Sequence, residues 1–291
     1  MIMSQIYIVP TYECNLSCKN CYSKKYLLQF PDYLSWEGFI GIYEFFKRQT
    51  NSISFIGGEP TKWKFINEAI LFLRNKNKKV TLFSNGSIIP SVMPDNLILN
   101  GNNLFDSDLG SNILANLEIY KNNNVKIRLR FNIDELFTDN RIKEAIKFTK
   151  QYANSVSLSI LFPTNYDKKI GQSVFNLSSG IIAESISVKI SRATPLCLFT
   201  EEQRKYLKDK CKLKGQCSLP SDSIVVHPDG NMIQPCIELP KIKHLNDLRT
   251  LSPKDLFSKE IKRLRNIENK ICNGCEFFKS KECCGGCLAY K

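Results

Sequence analysis

Three of the twelve cysteines in this 291-residue chain fall in one short stretch, Thr11 to Tyr22, which reads T-Y-E-C-N-L-S-C-K-N-C-Y. Cys14, Cys18 and Cys21 are spaced C-x3-C-x2-C, and the next cysteine is Cys197. Three thiolates so close in sequence can wrap one soft metal centre from a single loop. A four-iron cubane needs four ligands, so on this loop it keeps one open iron. Zinc fits the spacing badly, because its loops usually pair two C-x2-C halves and no His stands near to fill the shell. Residues 5 to 10, apolar and ending at Pro10, read as a strand that delivers the loop at its C-terminal end.

The segments that follow alternate between helical and strand patterns, which predicts an α/β fold with a parallel sheet. Ser35 caps a helix from Trp36 to about Arg48, and Ser52 to Ile56 is a strand running into Gly57-Gly58-Glu59-Pro60. A helix from Lys64 to Asn75 leads to a strand from Val80 to Ser84, which ends in the polar trio Ser84-Asn85-Gly86. The crossover from Ser87 to Asp95 carries two prolines and is too short for an ordinary helix. Leu97 to Leu99 is strand four, followed by an asparagine-rich loop containing Asn100 and Asn102 and a helix from Ser111 to Asn122. Strand five, Val125 to Ile133, sets Lys126, Arg128, Arg130 and Asn132 on one face. A helix from Asn140 to Tyr152 and a sixth strand, Val156 to Leu161, complete the run.

The C-x3-C-x2-C loop with its aromatic Tyr22, placed one βα unit before G-G-E-P, resembles the radical S-adenosylmethionine superfamily. The resemblance implies a partial (β/α)6 TIM-like barrel. It also implies a [4Fe-4S] cluster on Cys14, Cys18 and Cys21 whose open iron takes S-adenosylmethionine. Tyr22 is then expected beside the adenine, and Gly57, Gly58, Glu59 and Pro60 at the methionine ammonium. Ser84 and Asn85 become cofactor contacts at a strand end, Asn100 or Asn102 a ribose contact, and Arg130 or Arg128 the partner of the methionine carboxylate.

The other nine cysteines lie between Cys197 and Cys287, which sets a boundary of composition near residue 185 and predicts domains of 1–185 and 186–291. Thr200 and Gln203 cap a helix, Cys211 and Cys217 follow at C-x5-C, and a hairpin through Asp229-Gly230 leads to Cys236. A second capped helix opens at Ser252-Pro253, and Cys272-x2-Cys275-x7-Cys283-Cys284-Gly-Gly-Cys287 ends the run. This pattern resembles the SPASM extension of peptide-modifying maturases, a small Cys-rich domain with one or two auxiliary [4Fe-4S] clusters. By that resemblance Cys217, Cys236 and Cys287 hold one cluster with Cys211 or Cys197, while Cys272, Cys275 and Cys283 begin another. The family supplies that cluster's last ligand further downstream, and in this sequence Cys197 or Cys284 is expected to stand in for it. Cys284 is otherwise a spare thiol, either a bystander or a hydrogen-atom donor, and Glu238 is the one acid or base candidate near these sites. His227 and His244 lack ligand spacing and read as surface residues.

The resemblance implies a substrate that is a ribosomally made peptide, modified by crosslinking, thioether formation or epimerisation, with electrons from a flavodoxin or ferredoxin-type reductant. A small-molecule or protein side-chain substrate is the alternative within the same chemistry. A non-catalytic iron-sulfur or zinc protein is the alternative outside it. The chain starts directly on its first strand, so peptide recognition is expected from a separate protein or from an edge strand of the hairpin. The N-terminus has no basic n-region or cleavage site and no long apolar run occurs, which predicts a cytoplasmic protein away from membranes. A net charge of +13 invites an acidic partner, but the basic residues are spread through helices and loops, which argues against nucleic acid.

Overall fold

The structure, a computed structural model, describes residues 3, 5–162, 166–239 and 241–291. In chain order the elements are β1 (Gln5–Ile8), α1 (Trp36–Phe46), β2 (Ser52–Phe55), α2 (Ile66–Asn75), β3 (Lys79–Ser84) and β4 (Asn96–Asn100). Next come α3 (Ser107–Asn122), β5 (Lys126–Ile133), α4 (Asp139–Tyr152), β6 (Ser155–Ile160), α5 (Lys168–Ala183), β7 (Ser187–Ile190) and α6 (Glu201–Cys211). The hairpin β8 (Ser223–Val226) and β9 (Met232–Gln234), the short β10 (Lys243–His244), α7 (Pro253–Asn266) and α8 (Glu276–Lys279) complete the chain. Two compact units interleave along it, residues 1–98 with 219–261 and residues 99–218 with 262–291.

In the first unit β1 lies between β2 and β8 and runs parallel to both, with Ile6 opposite Ile53 on one side and Ile224 on the other. β3 continues the sheet in parallel beyond β2, while β9 and β10 extend it antiparallel beyond β8. One face of β1 is in the core, where Ile6 and Ile8 are fully excluded from solvent, and Gln5 and Tyr7 on the other face are partly buried. α1 covers one face with Phe39, Ile42 and Phe46, and its first turn is capped by the Ser35 hydroxyl, which accepts from the Gly38 amide at 2.9 Å. Parallel order places the ends of β1, β2 and β3 on the same side, and all three motif loops begin there.

In the second unit β5, β6 and β7 are parallel, with Arg128 opposite Ser155 and Ser155 opposite Ser187. The sequence reading ends the strands at residue 161, and the structure adds α5 and β7 beyond it. The helical stripe of α5, Ile170, Val174, Leu177 and Ile181, is buried and packs the element in place. The polar face of β5 continues onto β6. The Arg128 Nε donates to the Ser155 hydroxyl at 3.0 Å and the Arg130 Nη2 to Ser159 at 3.3 Å. Thr200 and Gln203 form the expected capping box on α6. No helix among the described residues is long and apolar enough to cross a membrane.

Candidate iron-sulfur and cofactor site

The loop after β1 is stitched to the loop after β2 by backbone hydrogen bonds. The Gly58 amide donates to the Thr11 carbonyl at 3.0 Å and the Glu59 amide to the Glu13 carbonyl at 2.7 Å. The two chains lie so close that a Cβ on Gly58 would stand 2.1 Å from the Glu13 oxygen and 2.4 Å from that of Tyr12. One on Gly57, at φ +149°, would stand 2.3 Å from the Thr11 oxygen. The glycines of G-G-E-P are therefore required by the cysteine loop itself. The Tyr22 hydroxyl adds a further tie, donating to the Gly57 carbonyl at 2.8 Å.

Glu59 is fully buried and its carboxylate is taken up by donors of its own unit. It accepts from the Thr61 amide at 3.1 Å, the Thr61 hydroxyl at 2.8 Å, the Ser84 hydroxyl at 3.0 Å and the Asn85 amide at 2.7 Å. Burial raises its pKa, and these donors oppose the rise. The sequence reading sets this carboxylate against an ammonium group; in the structure it locks the ends of β2 and β3 together. In Glu59→Gln either orientation of the amide turns an N–H toward a backbone N–H. We expect a loss of about 2–3 kcal/mol in urea unfolding, the usual cost of a buried donor left unmet.

The trio after β3 completes the ring of loops. The Asn85 side-chain amide points at the Cys14 sulfur at 3.6 Å and donates to Asn15 Oδ1 at 2.9 Å, and Asn15 in turn donates to the Ser87 hydroxyl at 2.8 Å. The Leu16 amide donates to the same sulfur at 3.4 Å. Cys14, Cys18 and Cys21 are unpaired thiols. Burial raises Cys14 and Cys18 above the ordinary thiol value, Glu59 and Cys21 add to the rise at Cys14 and the other two thiols at Cys18, so a cationic centre beside them would favour the thiolates. Sulfurs around zinc stand about 2.3 Å from one point, and among the described residues no three Cys, His, Asp or Glu side chains are placed to hold a metal ion. A four-iron cube is wider than one ion, so it is judged by donor chemistry: three soft thiols from one loop, with N–H groups aimed at sulfur, fit it.

Behind the loop lies a buried aromatic packing that the sequence reading missed. His227, expected at the surface, is fully buried, stacks on Phe30 with ring centroids 4.1 Å apart, and shares a 2.6 Å hydrogen bond through Nδ1 with the Tyr12 hydroxyl. Tyr26 packs against Tyr12, and its hydroxyl donates to the Ile237 carbonyl at 3.0 Å, which ties the loop to the segment after β9. Burial pushes the imidazole down from 6.5 to about 3. The unfolded chain then takes up a proton below pH 6.5 that the folded chain refuses until about pH 3. Stability accordingly falls as pH drops through that window. We expect about 2 kcal/mol less resistance to urea at pH 5 than at pH 7 from this group, and His227→Gln to lose that part of the slope. Glu238 is buried in the same unit, and its carbonyl accepts from Lys25 Nζ at 2.8 Å. His244 is exposed, as the sequence predicts.

The second unit holds the other candidates. Arg130 lies on β5, as described. The Asn102 amide pairs with the β5 backbone, donating to the Asn132 carbonyl at 2.9 Å and accepting from its amide at 2.7 Å, and so holds that loop. Asn100 caps the turn that follows β4. Cys211 is buried beside Ser178 on α5, and burial pushes its thiol up to about 11. Cys284 is also buried, its S–H directed at the carbonyls of Gly215 at 3.3 Å and Gly286 at 3.2 Å. Cys272 is pushed up to about 11, first by burial and then by the neighbouring thiols Cys283, Cys275 and Cys197. Cys217 and Cys287 belong to this unit, whereas Cys236 follows β9 in the first.

Fold and site together define an α/β chain of the partial-barrel class, with its motif loops at the C-terminal ends of parallel strands. No protein-family model matches the chain, and no curated protein matches it in sequence. Solved structures do. SuiB from Streptococcus suis bound to S-adenosylmethionine is similar at a TM-score of 0.68 and 17% identity, over 99% of this chain and 73% of SuiB. SuiB bound to the precursor peptide SuiA is similar at 0.67 and 16%, over 99% of this chain and 72% of that one. Native anSMEcpe with bound AdoMet and Cp18Cys peptide is similar at 0.64 and 19%, over 97% and 88%. At these identities the likeness is one of fold, and it extends across nearly the whole chain.

Proposed function

We propose that this chain is a radical S-adenosylmethionine enzyme that abstracts hydrogen from a ribosomally made peptide. The observation that carries the reading is the joined set of loops in the first unit: three free thiols, the glycine pair against their backbone, and Asn85 aimed at Cys14. Cys14, Cys18 and Cys21 would hold three irons of a [4Fe-4S] cluster, leaving one for the amino and carboxylate groups of S-adenosylmethionine. Such a cluster, once reduced by an external one-electron donor, would pass that electron to the bound S-adenosylmethionine, whose carbon-sulfur bond would break to give methionine and a 5'-deoxyadenosyl radical.

This chain's residues orient rather than react. Glu59 fixes the ends of β2 and β3 and so the backbone of Gly57, Gly58 and Pro60, which faces the ligand. Tyr22 supplies a ring for the adenine, held by its hydroxyl, and Ser84 and Asn85 set the third loop. Arg130 is assigned to the methionine carboxylate on the resemblance alone. The cysteines from residue 186 onward would form the auxiliary iron-sulfur domain, and a flavodoxin or ferredoxin would be the reductant. The peptide substrate rests on the fold shared with SuiB and anSMEcpe, whose structures hold peptides.

The test is an anaerobic assay of the reconstituted, reduced protein with candidate precursor peptides. A loss of mass of a few hydrogens or a deuterium exchange in one peptide, with faster 5'-deoxyadenosine formation, is the expected result. A reaction with small substrates and none with any peptide would move the assignment to the small-molecule alternative.

A further inference from the structure

The cysteine run at the end of the chain supplies three thiols from one compact turn. The Cys275 amide donates to the Cys272 carbonyl at 2.9 Å, α8 starts there, and the Cys283 amide returns to the Phe277 carbonyl at 2.9 Å. Gly285 sits between two of the sulfurs. Its amide donates to Cys283 Sγ at 3.3 Å, and a Cβ on it would stand 3.0 Å from Cys272 Sγ. The Tyr166 hydroxyl donates to the Gly285 carbonyl at 2.7 Å and holds this turn.

The loop after β7 packs onto the same turn from another part of the sequence. Gly215 pairs with Cys283 as a parallel bridge, and a Cβ there would stand 3.0 Å from the Cys283 Cα and 2.9 Å from Leu196 Cγ. On the far side, a Cβ on Gly286 would stand 3.6 Å from Pro195 Cγ. Pro195 thus meets the Gly286 end of the Cys283 to Gly286 segment, Leu196 meets Gly215, which pairs with its Cys283 end, and the next residue is Cys197, within a single turn spanning Leu196–Leu198. Its thiol lies within the electrostatic reach of Cys283 and Cys275.

We propose that Cys197 is the fourth ligand of an auxiliary [4Fe-4S] cluster held by Cys272, Cys275 and Cys283. The proposal rests on the iron-sulfur reading above and deepens it. The fourth thiolate comes from upstream, out of the loop after β7. A cube with four thiolates has no open iron, so this site can bind neither S-adenosylmethionine nor substrate through iron, and its work is electron transfer.

The test uses the full chain with Cys14, Cys18 and Cys21 changed to Ala, so that only C-terminal iron is read. Adding Cys197→Ala should remove between about one and about four iron per chain, the difference between a three-iron remnant and loss of the cube, and should change the electron paramagnetic resonance signal. Cys197→Ser keeps a ligand of similar size and should retain iron with a shifted signal, which guards against misfolding as the cause. Iron, sulfide and spectrum unchanged in both variants would overturn the assignment of Cys197 alone. A parent chain that takes up no iron would overturn the iron-sulfur reading with it.

Discussion

Changing Cys14, Cys18 and Cys21 to Ala is expected to abolish 5'-deoxyadenosine formation and to remove about four iron per chain, with the C-terminal iron untouched. The reasoning is local to the first unit. The three thiols share one loop, and the N–H groups aimed at sulfur there, from Leu16 and Asn85, come from that loop and from the end of β3. No cysteine of the C-terminal run is needed to fill a shell that is meant to keep one position open. Iron analysis beside far-ultraviolet circular dichroism separates this outcome from a general collapse: a chain that keeps its helical signal and loses about four iron has lost one site. Residual cleavage of S-adenosylmethionine in the triple variant would place the chemistry elsewhere.

Gly58→Ala is expected to be the most damaging single substitution of a residue that bears no functional group. The added methyl would lie 2.1 Å from the Glu13 carbonyl oxygen, and the obstacle is backbone, which cannot swing aside like a side chain. Overpacking costs about 1–3 kcal/mol in ordinary cores and more where neither partner can move, so we expect a loss at or beyond the top of that range. Because the Gly58 and Glu59 amides hold the Thr11 and Glu13 carbonyls, the displaced loop should also lose its iron while the C-terminal iron stays. Gly41, in α1 with open space around its Cα, is the control: Gly41→Ala should be neutral or stabilising by up to about 1 kcal/mol. Equal effects at the two positions would show that the close approach of the loops is not what glycine is there for.

The parts legible in the sequence are those whose logic is local. C-x3-C-x2-C, G-G-E-P and S-N-G each lie within a few residues, and the strand that delivers each one has its own apolar pattern. The caps at Ser35 and at Thr200 with Gln203, and the hairpin through Asp229-Gly230, were readable for the same reason. What stayed hidden depends on partners far along the chain. The pairing of β8 with β1 joins segments with no shared pattern, and it is what buries His227 against Tyr12 and Phe30. The apolar stripe of α5 is diluted by Ser and Asn and follows a proline, although Ile170, Val174, Leu177 and Ile181 hold the helical spacing. The donors to Glu59 that come from another loop, Ser84 and Asn85, are likewise visible only in the folded chain.

Asn102 follows the same rule, since its amide meets the β5 backbone in the folded chain and is engaged there. The position of Cys197 is the clearest case. Its distance along the chain from Cys272 hides a proximity that only the packing of Leu196 on Gly215 reveals.

The chemistry of the first unit is read from the products of S-adenosylmethionine with the anaerobically reconstituted, reduced wild-type chain. 5'-Deoxyadenosine and methionine in equal amounts, dependent on reductant, are the expected products. A chain that carries its full iron and sulfide, binds reductant electrons and leaves S-adenosylmethionine intact would contradict that chemistry.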